Sequence, residues 1–262
     1  DDDTSFSISV VGGGPTGVEM AGAFAELVRG PLKNDQAHAA SHMRISLIEA
    51  GPRILPMFSE KLSARAQKDL EKLGVNVLVN TAVAEIKTRS IIIKNGESIP
   101  SEITIWAAGV KGEPASEKLN LPLISTRIDV DNTLQVKHYP GIFAIGDVAG
   151  FVGKDGRFLP MVAPVAMQQG RFIAKQIKRL ANGQALEDFK YIDKGSMATI
   201  GRHKAVVEVK SFRMAGIPAW YAWLWLHLFY LVGGRNKIGT MADWTWNYLT
   251  FDRGNRHIMD SL

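Results

Sequence analysis

The chain has 262 residues, 46% of them hydrophobic, with 25 glycines and a formal net charge of +5. That length accommodates one large or two small globular domains. Cysteine is absent, which excludes a disulfide framework, a thiolate metal site and a cysteine nucleophile within these residues. The positive charge is uneven: residues 196–262 hold eight Lys or Arg against four Asp or Glu, which points to a negatively charged partner. No secretory signal or internal repeat is visible. A start at Asp1-Asp2-Asp3 without methionine is expected of a fragment or a processed product.

The first apolar run, SISVV, leads into Val11-Gly-Gly-Gly-Pro-Thr-Gly-Val-Glu19 and then EMAGAFAELV. This predicts a strand, a glycine turn and a helix over 18–28. Gly12, Gly14 and Gly17 stand in G-x-G-x-x-G spacing, which permits a tight turn and close approach of backbone to a pyrophosphate at the helix N-terminus. Pro15 suits the first helical turn, where its missing N–H has no intrahelical partner anyway. A glycine-rich turn can also serve packing alone, so the surroundings decide. After a polar stretch, GPLKNDQAHAASHM, the strand RISLIEA ends on Glu49. A carboxylate there accepts from the adenosine ribose hydroxyls and repels a 2′-phosphate, which favours NADH over NADPH. The surface insertion at 30–43 accounts for its long spacing from the turn, and Arg53 leaves a 2′-phosphate partner open.

A helix over 59–73, with Ser59 as N-cap and Gly74 past its end, and the strand VNVLV continue a doubly wound α/β pattern. Further on, the short run IFAI predicts a strand entering Gly146-Asp147. Glycine would let a ligand lie against the backbone and the aspartate would accept from a hydroxyl; a capped turn is the plainer alternative. The run MVAPVAMQQGRFIAKQIKRL predicts a helix, with Val165, Gln169, Phe172, Ile173, Gln176 and Ile177 on one face. Its N-terminus offers a positive dipole end to an electron-rich ring.

The tail begins with IPAWYAWLWLHLFYLV, 16 residues at 217–232, shorter than the roughly 20 a membrane span needs. After Gly233-Gly234-Arg235-Asn236-Lys237 comes a segment in which Met241, Trp244, Tyr248 and Phe251 share a helical face. Five of the six tryptophans fall between 220 and 246, and tryptophan favours the membrane–water boundary. A pair of interfacial helices is the expectation. A buried core helix or a dimer interface would use the same residues. His227 reads as a packing or headgroup-level residue, because no second histidine or carboxylate stands at ligand spacing.

Across VVGGGPTGVEMAG, LIEAGPRILPMFSEKL, IWAAGV, LQVKHYPGIFAIGDVAG, VAPVAMQQGRFIA, YIDKGSMATIGRHKAVVEV, GGRNK and RGNRHI, the chain resembles the later two-thirds of a type II NADH dehydrogenase. The resemblance implies an α/β flavoprotein of two Rossmann-like dinucleotide-binding domains, here partial, with a C-terminal amphipathic helical region that anchors to a membrane. It divides the chain into an NADH-binding domain at 1–112, the C-terminal part of an FAD-binding domain at 113–195 and a membrane-associating region at 196–262, with a first FAD-binding glycine turn upstream.

Carried over by position, Gly12, Gly14, Gly17 and Glu49 would bind NADH, with Ala108 and Gly109 lining that cleft. Gly146 and Asp147 would meet the ribityl chain of FAD, and Ala163, Pro164 and Val165 the pyrimidine edge of the flavin. Gln168 would lie at the quinone pocket. Many members have a glutamine where Pro164 stands, so a side-chain contact with quinone there is not carried over. Glu19 would influence transfer between NADH and quinone either as a group acting through its neighbours or as a proton relay, with Lys194 a candidate partner; the helix dipole alone also favours a carboxylate there. The implied reaction is NADH:quinone oxidoreduction without proton pumping. The implied setting is peripheral, through residues 217–251, on the cytoplasmic face of a bacterial inner membrane, with a mitochondrial inner membrane as the alternative. A homodimer is a further expectation; no metal and no nucleic acid is expected. A soluble FAD- and NADH-dependent disulfide or ferredoxin reductase, and a non-catalytic NADH-binding module, stay open.

Overall fold

The structure, a computed structural model, describes residues 5–112 and 118–250, with the side chains of 247–250 excepted. The expectations placed on Asp1-Asp2-Asp3, the boundary at 113, Phe251 and RGNRHI lie outside the described residues, as does the side chain of Tyr248. The chain forms two compact units, Asp1–Ala108 with Gly195–Leu262, and Gly109–Lys194.

The first unit is built on a parallel sheet. Strands β1 (Phe6–Val11), β2 (Met43–Ile48), β3 (Val75–Leu78) and β7 (Ile103–Trp106) lie in the order β3-β2-β1-β7. Val11 is in register with Ile48 on one side and Trp106 on the other. Helix α1 (Pro15–Leu27) starts at Pro15, earlier than the sequence predicts, because Gly14 serves as N-cap and proline fits the first position. The insertion is helical: a π-turn at Val28–Leu32 holding Pro31, then the short helices α2 (Lys33–Asp35) and α3 (Ala37–His42). Helix α4 (Glu60–Lys72) has Ser59 as N-cap, as expected. An antiparallel meander, β4 (Val83–Lys87), β5 (Ser90–Ile93) and β6 (Ser98–Pro100), sets Ile91 and Ile93 against Val11 and Ile48.

A second sheet, β10 (Ser196–Gly201), β11 (Lys204–Val209) and β12 (Phe212–Ala215), closes the other side of α1. One core joins Val10, Leu47, Val18, Ala21, Ala25, Leu70 and Ile200, so α1 is buried from both sides. That requires small residues: a Cβ on Gly22 would collide with the carbonyl of Ile200. Helix α6 (Ile217–Tyr230) covers β11 through Ala219 against Ala205 and Val207, and α7 (Gly234–Thr250) follows. No helix among the described residues is long and apolar enough to cross a membrane.

The second unit holds the hairpin β8 (Leu123–Ile124) and β9 (Arg127–Ile128) and the long helix α5 (Ala163–Ala181). Its core gathers Ile128, Val130, Leu134, Phe151, Ile173 and Phe189. The strand predicted at IFAI is not formed. Phe143 makes a single bridge to Gln135, and Ala144 donates to Leu134. Leu134 and His138 have φ of 67° and 68°, and turns that tight leave no straight ladder for those residues to join.

Candidate functional site

The glycine turn lies at the carboxyl end of β1. Gly12 has φ +113° and donates to the Ile48 carbonyl at 2.8 Å. A Cβ on Gly12 would strike the backbone of Ala107, and one on Gly17 would strike Gly12 itself. Beside Gly14 the space is open, directly before the first turn of α1. The turn therefore leaves open space in front of the first turn of α1, where a helix carries its unpaired amides and positive dipole end.

Glu49 lies against the turn at Gly13. One oxygen accepts from the Gly13 amide at 2.6 Å and the other from the Gly51 amide at 2.6 Å. Each oxygen keeps a lone pair for a further donor, so the carboxylate both fixes the turn and stays available to hydroxyls. Arg53 is committed elsewhere: its guanidinium donates to the carbonyls of Phe58 at 2.6 Å and Pro56 at 3.0 Å. The cation that could have served a 2′-phosphate is thus a brace of the 53–58 loop. Ala108 ends the first unit and Gly109, with φ +106°, opens the second.

Farther along α1, Glu19 accepts the Thr199 amide of β10 at 3.1 Å. It shares with Glu26 the wall of a cavity of about 660 Å³, otherwise formed largely by Trp220, Trp223, Leu228 and Trp244. Glu26 accepts the amide of Arg202. His227 stacks on Trp223, ring centroids 3.7 Å apart, and its Nδ1 lies 2.8 Å from the Trp223 carbonyl. Among the described residues no group of three or more histidines and carboxylates is placed to hold a metal ion.

In the second unit, Gly146 (φ +71°) begins a short 3₁₀ turn that carries exposed Asp147. The turn is held by Gln169, 1% exposed, whose Oε1 accepts the Gly146 amide at 2.6 Å. Sequence reasoning placed Gln169 on one face of its helix with apolar residues but missed this role; an amide among Val165, Phe172 and Ile173 was the available signal. Helix α5 starts at Ala163, with Pro164 half-buried and Val165 buried. The Val165 amide turns to the Val162 carbonyl and proline has none, which leaves the Ala163 amide and the helix dipole at that end. Gln168 binds the backbone of Ile192 in both directions, at 2.9 and 3.0 Å. Lys194 is the last residue of this unit.

A parallel sheet with a glycine turn at the end of its first strand and an acceptor carboxylate at the end of its second defines a dinucleotide-binding protein of the doubly wound class. The chain belongs to the pyridine nucleotide-disulphide oxidoreductase family, whose model matches residues 2–170, and an NDH2 C-terminal domain matches residues 194–253. It is 38% identical over 267 residues to the type II NADH:quinone oxidoreductase Ndh of Mycobacterium tuberculosis, covering 97% of this chain and 57% of that protein. It is 34% identical over 253 residues to the mitochondrial internal alternative NAD(P)H-ubiquinone oxidoreductase A1 of Solanum tuberosum, covering 90% and 51%. The chain thus spans little more than half the length of these relatives. A solved structure of NDH2 from Plasmodium falciparum in complex with NADH matches with a TM-score of 0.88 at 20% identity, over 99% of this chain and 68% of that one. That likeness gives the fold, a Rossmann-like flavoprotein architecture.

Proposed function

We propose that the chain supplies the NADH-binding part, a portion of the FAD-binding part and the C-terminal region of a non-proton-pumping NADH:quinone oxidoreductase. The observation that carries this reading is the open glycine turn flanked by Glu49. Gly12 and Gly17 let backbone approach closely, and the amides opening α1 would hold the pyrophosphate. Glu49 would accept from the adenosine ribose hydroxyls and place negative charge where a 2′-phosphate would sit, with Arg53 already engaged.

FAD fits the residues in part. Exposed Asp147, set by Gly146 and Gln169, suits a ribityl hydroxyl, and the Ala163 end of α5 suits an acceptor edge of a flavin ring. A second pyrophosphate needs a second glycine turn, and this sequence holds one. When bound, the flavin supplies hydride acceptance from NADH and delivery of two electrons to quinone. Glu19, on the cavity wall, would hold and pass a proton. Gln168, its amide engaged by Ile192, would shape the quinone pocket through the backbone it fixes.

The apolar face of the tail supports peripheral attachment to a membrane. Trp225, Phe229, Val232, Ile238 and Trp246 are 71%, 73%, 84%, 72% and 63% exposed, and Arg235 and Lys237 lie among them in sequence, as in interfacial helices on anionic lipid. The cytoplasmic face of a bacterial inner membrane is the proposed site, and a homodimer would be an alternative use of the same face. The reading is tested by NADH oxidation with a soluble quinone after loading with FAD. The chain is assayed alone and joined to an added N-terminal FAD-binding segment that carries its own glycine turn. Retained flavin and turnover in the extended chain are expected; an extended chain that holds flavin and oxidises NADH without reducing quinone would overturn the reading.

A further inference from the structure

Strand β7 is the neighbour of β1 on the side away from β2. Its last residue, Trp106, is in register with Val11, so the two side chains leave the same face of the sheet. The residues on either side of it, Ile105 and Ala107, pack into the core beneath α1. Val11 is 4% exposed, whereas Trp106 is 56% exposed. A large aromatic ring therefore stands at the carboxyl end of the strand beside the glycine turn, largely uncovered by protein. This is where β1 acquires neighbours from opposite directions, the point in a doubly wound sheet where ligands bind.

The order of strands gives the dinucleotide a direction, on the reading that this turn holds NADH. Glu49, beyond the end of β2, takes the adenosine ribose, and the glycines at the end of β1 take the pyrophosphate. An extended dinucleotide continuing one strand further, about 4.8 Å, brings its nicotinamide riboside over the end of β7. We propose that Trp106 is a binding residue for the nicotinamide half of NADH, its indole packed against the nicotinamide ring. A flat heteroaromatic ring against an indole is a favourable pairing in offset or edge-to-face geometry.

The test compares NADH with ADP-ribose, which carries the same adenosine, pyrophosphate and second ribose but no nicotinamide. With this chain, W106A should weaken NADH binding about tenfold, in line with loss of one aromatic contact and its buried area. ADP-ribose affinity should be unchanged, and W106F should restore most of the NADH affinity. Exciting the indoles and reading nicotinamide emission gives a second measure. The other five tryptophans lie on α6 and α7, so most of the sensitised emission should vanish in both variants. Equal loss of both ligands in W106A would make Trp106 a merely structural residue, and unchanged NADH affinity with unchanged sensitised emission would remove it from the site; either overturns the proposal while leaving the NADH reading intact. Failure of the unsubstituted chain to bind either ligand would overturn that reading and this proposal with it.

Discussion

On the proposed reading Glu49 does two things with one carboxylate, holding the turn and selecting the dinucleotide, and its substitutions should separate them. E49Q keeps the shape and one acceptor oxygen but drops the charge, so the preference for NADH over NADPH should narrow by about 1–3 kcal/mol. E49S should narrow it equally and also lower the unfolding midpoint, because the Gly13 and Gly51 amides lose their acceptor. Competition binding with the two dinucleotides and urea denaturation measure the two effects. Equal affinity of the unsubstituted chain for NADH and NADPH would contradict the assignment. The position of Glu49 beside the turn was legible in sequence because it depends only on a glycine spacing and the end of the next strand. Glu19 and Gln169 were not legible in the same way. The first finds its partner 180 residues away and the second 23, and no local period announces either bond.

At the scale of elements, α1 is the piece most constrained by its surroundings. Between two sheets, its Gly22 meets the Ile200 carbonyl of β10, so G22A has nowhere to put a methyl without moving the second sheet. The expected cost is about 1–3 kcal/mol, read as a lower denaturation midpoint with the helix content unchanged. A second long-range tie lies at the start of α4. Ser59 makes no side-chain cap; its amide donates at 2.6 Å to Glu208 of β11. That bond, and after it the Arg213 guanidinium at 2.7 Å, hold the Glu208 carboxyl below its ordinary value of 4.5. A depressed folded pKa stabilises above the unfolded value, and the contribution is lost as pH falls through the folded one. Stability should therefore fall below about pH 4.5 more steeply in the parent than in E208Q. At neutral pH E208Q should cost no more than about 1 kcal/mol, since glutamine keeps an acceptor for the Ser59 amide and the Arg213 partner is half-exposed and screened. The sequence placed α4 and its cap residue correctly but could not name the acceptor. It also promised a strand at IFAI, because apolar runs of that length look alike whether or not a ladder is at hand.

For the whole molecule, the tail has two faces with different surroundings. Ala219 and Trp220 pack on β11, while Trp225, Phe229 and Ile238 face outward. Replacing those three by serine should leave folding intact and abolish flotation with anionic liposomes; high salt should also weaken flotation of the parent. If the serine variant floats as well as the parent, attachment lies elsewhere.

The first unit is discontinuous: its parallel sheet is complete by Trp106, yet the sheet that covers the far side of α1 begins only at Ser196. For a chain emerging from a ribosome this sets a timetable. Val18, Ala21 and Ala25 cannot all be buried until Ser196–Ala215 has emerged, and so long a separation in sequence makes folding slow. Nascent chains arrested after Lys194 should therefore be cut by protease within α1, and chains arrested a few dozen residues beyond Ala215 should resist. Translation itself would govern when the nucleotide cradle becomes rigid, and helpers that shield exposed α1 would act in that interval.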